Sequence, residues 1–311
     1  MSPGSARTPK AKGEFDQLRD IFVRLGSRAE GLGDDCALIP VGGTTLAVSI
    51  DCSLEGIHFR TDWLTFEEIG WRSTAAALSD LAADGANPVG VFVSLGLPAG
   101  SADHGPEIMS GVGAAAESVG AKVLGGDLVR SEQYLLDVCV LGTAERPVRR
   151  AGAHAGDGVW VTGRLGGAAL ALAGYRSPTR PGGPLGRRYS HPEPRVAAGR
   201  WLAAQGATAM IDISDGLAAD AGHLAAASGV GLAIALERLP CWDGVAPLAA
   251  AASGEEFELL VTLPAAFSAR PEFELTRIGE CVPGGGVRLL EGNTPVALPS
   301  GYDHFNHFSA S

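Results

Sequence analysis

Aspartate recurs at strand ends or helix starts near glycines. Asp34 and Asp35 lie in GLGDDCAL, Asp51 in VSIDCSLEGIHF, Asp80 and Asp84 in ALSDLAADGA, Asp127 in GGDLVRS, and Asp212 and Asp215 in IDISDG. Taken singly, each fits a turn or a helix cap, where Asp is favoured. Repetition of the placement asks for more. Asp80 and Asp84 stand four apart in a helical stretch, where like charges repel by roughly 0.2–0.5 kcal/mol unless a cation or solvent separates them. Hard oxygen donors without a His or Cys cluster suit Mg²⁺, which takes one or two carboxylates and leaves its other positions to water and phosphate oxygens. ISDGLAADAGHL (213–224) reads as the start of a helix, whose N-terminal N–H groups favour a phosphate. Together these features predict a polyphosphate held to the acids through magnesium.

The charge balance agrees. With 35 acidic against 24 basic residues, the net charge of −11 argues against nonspecific binding to nucleic acid or a membrane surface. Lysine occurs only at positions 10, 12 and 122, so a phosphate must be held by arginine, backbone N–H groups or a divalent cation. G-x-x-x-x-G-K-[ST] is absent, as is an H-R-D loop with D-F-G, which excludes a P-loop enzyme or a protein kinase. Five widely spaced cysteines with no CxxC suit reduced thiols in the cytoplasm. Neither a signal peptide nor a membrane-spanning apolar run is seen.

The elements that must position these acids alternate in type. CALIP, TTLAVSID, VGVFVSLGLP and YLLDVCVLGTA read as strands, with helices over 66–84 and about 105–119 between them. After ERPVRR the pattern restarts. DGVWVTG, AMIDI, LAIALERLP, FELLVTLP, TRIGECV and VRLLEG read as strands, and GGAALALAG and 195–204 as helices. The expected fold class is therefore α/β, with two successive mixed domains over 13–146 and 147–311 behind a disordered tail, 1–12. Segment 175–194, YRSPTRPGGPLGRRYSHPEP, is too poor in apolar residues to pack a core. It reads either as a mobile linker or as an arginine-bearing lid over phosphates.

GEFDQL (13–18), GDDCAL (33–38), SID (49–51), EGIHF (55–59), LSDLAADGA (78–86), GGD (125–127), RAGAHAGD (150–157), VTG (161–163), IDISDG (211–216), SGEEFELL (253–260) and GYDHF (301–305) together resemble the thiamine-monophosphate kinase family. That family belongs to the aminoimidazole ribonucleotide synthetase superfamily. The resemblance implies the two-domain fold of that superfamily, dimerisation through the N-terminal domain, and ATP-dependent phosphorylation of thiamine phosphate to thiamine diphosphate with Mg²⁺ between the domains. It implies metal ligation by Asp35, Asp51, Asp80, Asp127, Asp212 and Asp215, with Ser49 and Ile50 as backbone or hydroxyl contributors. Gly126, Arg150 and Ser214 are implied contacts to ATP, and His58, Glu255 and Tyr302 to thiamine phosphate. Asp80, Asp212 and Arg150 are the implied catalytic set. Four positions depart from the family pattern: Ile50 for threonine, Ala77 for asparagine, Asp84 for methionine and Glu256 for aspartate. Other ATP-using enzymes of the superfamily, or an inactive nucleotide-binding relative, are the alternatives. The missing N-terminal and C-terminal cysteines count against two of those enzymes, and EGIHF and GYDHF against the third.

Overall fold

The computed structural model describes residues 13–178, 180–299, 301 and 302. After α1 (Glu14–Leu25), strands β1 (Ala37–Val41), β2 (Thr44–Leu54), β3 (Asn87–Leu97), β4 (Lys122–Arg130) and β5 (Leu135–Ala144) form one sheet in the order β1-β2-β5-β3-β4. β5 alternates between buried and half-buried residues along its whole length, the pattern of a strand with one face on a core. That core is supplied by α2 (Phe66–Ala83) and α3 (His104–Ser118). α2 begins at a capping box: Thr65 Oγ1 accepts the Glu68 N–H, and the Glu68 carboxylate accepts the Thr65 N–H at 2.8 Å. The helices meet backbone to backbone. A Cβ on Gly70 would sit 1.9 Å from the Ile108 carbonyl oxygen, and one on Gly111 1.9 Å from that of Glu67.

The second sheet, in the order β12-β11-β8-β10-β6-β9-β7, contains β6 (Gly158–Thr162), β7 (Ala209–Asp212), β8 (Gly231–Ala235), β9 (Leu259–Leu263), β10 (Leu275–Val282), β11 (Gly286–Glu291) and β12 (Thr294–Val296). β7 and β9 are buried at every residue. They lie between two cores. One packs against α7 (Leu217–Ser228), the other against α6 (Val196–Ala204) and the end of α2. Both sheets mix parallel and antiparallel pairs, so the α/β two-domain expectation holds.

Segment 175–194 departs from expectation. It follows α4 (Gly167–Tyr175) and forms α5 (Gly183–Ser190), and Tyr175 and Tyr189 enter the core of the first half. It is pinned to α2. Arg180 holds both oxygens of Glu68 at 2.7 and 2.6 Å, and the Trp71 indole N–H donates to the Pro192 carbonyl at 2.9 Å. Two tyrosines supply the apolar area that a count of aliphatic residues overlooks. Strand formation in LAIALERLP stops at Ala235, where a short 3-10 turn takes over. α1 and β4 had no counterpart among the expected elements. The expected tail 1–12 and residues 303–305 of GYDHF lie outside the described residues.

Candidate functional site

Three buried or half-buried carboxylates meet at the seam between the halves. Asp35 precedes β1, Asp80 lies in the last turn of α2 and Asp212 ends β7, and their oxygens lie within 4.8 Å of one another. Each is held by its own partner. Ser49 on β2 donates to Asp80 at 2.5 Å, Ser79 to Asp212 at 2.8 Å, and Arg150 grips both oxygens of Asp35 at 3.1 and 2.9 Å. The Arg150 backbone N–H also donates to Asp34 at 2.9 Å. Burial and mutual repulsion push these acids upward: Asp212 to about 8, chiefly by burial and then by the Asp35 charge, and Asp80 well above the carboxylate range, by burial and then by Asp212 and Asp35. Asp35 is raised too, because burial outweighs the Arg150 pairing.

A raised folded-state value means that the folded protein binds protons more tightly than the unfolded chain. Without metal, stability is therefore expected to fall as pH rises from about 4 through about 8. A divalent cation binds the ionised form, so its stabilisation grows over the same range. Melting curves in EDTA and in Mg²⁺ across that window check this; a metal-free melting temperature that climbs steadily to pH 8 counts against it.

Ser49 and Asp51 project from one face of β2, while Ile50 is 64 % exposed on the other. A side chain at position 50 therefore turns away from the acids, and a contribution there falls to the backbone; β1 pairs with β2 only as far as Val48. Asp51 is pushed up to about 6, by burial first and then by Glu255 and Asp137. Cross-strand register puts Asp127, on β4, opposite Ser94, which pairs with Asp137 opposite Cys52. Asp127 thus shares the outward face of Cys52 and is exposed, apart from the three-acid cluster. A Cβ on Gly126 would fall 1.9 Å from the Val93 carbonyl oxygen, so strand pairing alone requires glycine there.

The IDISDG turn is organised by Asp220. Its Oδ2 accepts the N–H groups of Ser214, Asp215 and Gly216 at 3.1, 3.2 and 3.1 Å. These are the helix-start donors expected to face phosphate, and the chain satisfies them itself. Asp215 clusters with Asp220 and His223, and its carbonyl accepts the Tyr302 N–H at 3.4 Å, which seats the exposed Tyr302 on this turn.

A second constellation contains His58 and Glu255. Glu255 pairs at 2.5 Å with Arg72 of α2, which is 4 % exposed. Arg72 also donates to the Tyr189 and His58 carbonyls at 2.6 and 3.4 Å and lies over the Tyr189 ring at 3.8 Å. Tyr189 in turn donates its hydroxyl to the His58 carbonyl at 3.2 Å, and His58 Nδ1 accepts the Leu54 N–H at 3.0 Å. Sequence reasoning missed Arg72, Tyr189, Ser79 and Asp220. Arginine in an otherwise apolar helical stretch, WRSTAAALSDLAA, was the available signal for the first.

The acid cluster fits a hard divalent cation: oxygen donors only, little water, and more negative charge than Arg150 alone can balance. The chain resembles known proteins throughout. Two family models match it, "AIR synthase related protein, N-terminal domain" over residues 33–144 and "AIR synthase related protein, C-terminal domain" over residues 154–290. Thiamine-monophosphate kinase of Aquifex aeolicus is 32 % identical over 311 residues, covering 95 % of this chain and 99 % of the relative. Thiamine-monophosphate kinase of Halobacterium salinarum is 38 % identical over 256 residues, covering 79 % and 84 %. The solved structure of AaThiL complexed with AMPPCP and TMP superposes with a TM-score of 0.88 at 32 % identity, covering 96 % of this chain and 100 % of the other.

Proposed function

The chain belongs to the thiamine-monophosphate kinase family, and from that premise we propose that it transfers the γ-phosphoryl group of ATP to thiamine phosphate, giving thiamine diphosphate and ADP. The observation that carries this reading is the meeting of Asp35, Asp80 and Asp212, drawn from both halves of the molecule, at one buried seam.

The acceptor needs no strong base, because a phosphate monoester is largely anionic near neutral pH. Its terminal oxygen attacks the γ-phosphorus in line as the bond to the β–γ bridging oxygen breaks, and no covalent enzyme intermediate forms. Bound Mg²⁺ would neutralise the phosphate oxygens and the developing charge on the leaving group. Asp35, Asp80 and Asp212 are the proposed principal ligands of one ion, with Asp51, the Ser49 hydroxyl and the Ile50 carbonyl offered to a second; Asp215, grouped with Asp220 and His223, and the exposed Asp127 stand apart from that cluster and are proposed to hold further ions. Ser49 and Ser79 hold two of these carboxylates in place before any ligand arrives. Arg150, charged throughout, shields Asp35 and provides positive charge for the nucleotide, which Gly126 and Ser214 are proposed to contact. His58, Glu255 and Tyr302 are the proposed contacts to thiamine phosphate. Glu255 suits the thiazolium cation, and Arg72 fixes its position.

Purified protein incubated with ATP, Mg²⁺ and thiamine phosphate should yield thiamine diphosphate, and EDTA should stop the reaction. Failure with thiamine phosphate, or equal turnover with thiamine as acceptor, would remove the assignment.

The first sheet supports a homodimer. Ile50, Cys139 and Phe92 lie in one cross-strand row on its outward face, and Leu124 and Leu128 on edge strand β4 are 50 and 66 % exposed. Self-association covers such a face. Phe92→Glu is expected to shift the species seen by light scattering from dimer to monomer; a wild-type protein already monomeric at micromolar concentration refutes this. No helix among the described residues is long and apolar enough to cross a membrane, the five cysteines are unpaired, and we place the enzyme in the cytoplasm.

A further inference from the structure

α2 carries a second acid one turn beyond Asp80. Asp84, at the helix C-cap, donates its N–H to the Asp80 carbonyl at 3.2 Å, so the two side chains follow one another along the same helix face. Asp80 serves the three-acid cluster, whereas Asp84 lies deeper, with no exposed surface. Neither of its carboxylate oxygens has a hydrogen-bond partner. The buried Cys36 thiol lies beside it, and a thiol is at most a weak donor. A buried carboxylate normally has its lone pairs satisfied, because leaving them bare costs several kcal/mol, on the order of 1–3 or more for a charged group. What lies beside it is more negative charge: oxygens of Asp34, Asp35 and Asp84 fall within 4.8 Å of one another.

We propose that Asp34, Asp35 and Asp84 form an additional divalent-cation site, one helical turn behind the Asp35–Asp80–Asp212 cluster and sharing Asp35 with it. The donors are all carboxylate oxygens, which selects a hard ion such as Mg²⁺ or Mn²⁺. Asp35 can serve both sites and Arg150 together, since an ionised carboxylate offers about four lone-pair positions and Arg150 takes one on each oxygen. Carboxylates shared between two ions are a regular feature of paired-metal centres. Asp34 is only half-buried, which leaves water a route to the remaining coordination positions. Backbone contacts tie this corner to the chain crossing between the halves: the Asp84 carbonyl accepts the Val148 N–H at 3.1 Å, and Asp34 accepts that of Arg150.

The inference rests on the metal-binding part of the functional reading but requires neither nucleotide nor thiamine phosphate, so the two are tested apart. Nucleotide-free protein is titrated with Mn²⁺, and free ion is followed by electron paramagnetic resonance. Wild type is expected to bind about one Mn²⁺ per chain more than Asp84→Asn, a change that keeps side-chain shape and removes the charge. Equal stoichiometry in two folded proteins overturns the site and leaves the kinase assignment standing; no Mn²⁺ bound by either overturns the site and the metal reading together. Should Asp84→Asn fail to fold, wild-type crystals soaked in Mn²⁺ decide. An anomalous peak among Asp34, Asp35 and Asp84 is expected, and its absence beside a filled Asp35–Asp80–Asp212 site overturns the proposal.

Discussion

Asp80→Asn and Asp212→Asn are each expected to lower kcat by on the order of 10²–10³-fold while raising the melting temperature of the metal-free protein. The two effects share one cause. Each carboxylate sits in a buried cluster whose members repel one another, and burial with that repulsion is what raises their affinity for protons. An amide of the same shape removes a charge that the folded protein accommodates poorly in the absence of a cation. It also retains an acceptor oxygen for Ser49 or Ser79, so local geometry should survive. Turnover suffers because an amide oxygen is a weak ligand to a hard cation. A metal centre contributes several kcal/mol to transition-state charge stabilisation, and about 1.4 kcal/mol corresponds to tenfold in rate. Steady-state kinetics at saturating ATP and Mg²⁺, together with melting curves in EDTA, read both effects. Near-normal kcat in both variants would place the phosphoryl transfer elsewhere, and a lowered metal-free melting temperature would mean that the carboxylates stabilise the fold by some other interaction.

Asp35, Asp80 and Asp212 could be singled out in the sequence because their surroundings are local facts: each stands near a glycine or an apolar run, and for Asp80 and Asp212 helix and strand periodicity bears on which way the side chain points. The same periodicity, read with register, separates Ile50 from Ser49 and Asp51. Hidden features depended on contacts between residues far apart in the chain. Arg72 and Glu255 are 183 positions apart in numbering, and nothing in WRSTAAALSD announces that the arginine crosses to the other half. The Pro-, Gly- and Arg-rich stretch 175–194 reads as a mobile linker or lid because it is poor in apolar residues. Arg188, however, is buried against Glu256 and Glu258, and Tyr189 lies beneath Arg72. β4 escaped notice because KVLGGDLVR is exposed throughout and broken by two glycines, so it lacks the alternation that marks a half-buried strand.

Glu256→Ala is expected to destabilise the protein by about 3 kcal/mol, the lower end of the usual cost of breaking a buried pair, because Arg188 keeps Glu258 at 3.3 Å. Glu256 has no exposed surface and pairs with Arg188 Nη2 at 3.0 Å; the same Nη2 also donates to the Glu256 carbonyl oxygen. Its Oε1 accepts the N–H groups of Gly166 and Ala168 at 2.8 and 3.1 Å and the Ser253 hydroxyl at 2.5 Å. Alanine therefore strips partners from three donors and removes one of the two carboxylates that face an arginine 8 % exposed. At roughly 2–4 °C per kcal/mol, the melting temperature should fall by on the order of 10 °C. A second consequence reaches the site. Glu255 and Phe257 adopt φ values of 57° and 49°, a left-handed backbone that L residues keep only when their surroundings impose it. Glu256, between them, is the anchor. The loop is also fixed to the Asp212–Asp215 segment by Glu255 N–H to the Ser214 carbonyl at 2.6 Å and by Phe257 N–H to the Ile213 carbonyl at 2.8 Å. Loosening it should raise KM for thiamine phosphate through Glu255 more than it lowers kcat, because the metal-binding carboxylates keep their own supports. Glu256→Gln, which retains the oxygen that accepts from Gly166, Ala168 and Ser253, should recover part of both losses. If the alanine variant melts within about 2 °C of wild type with unchanged KM, the buried pair neither stabilises this loop nor sets the position of Glu255.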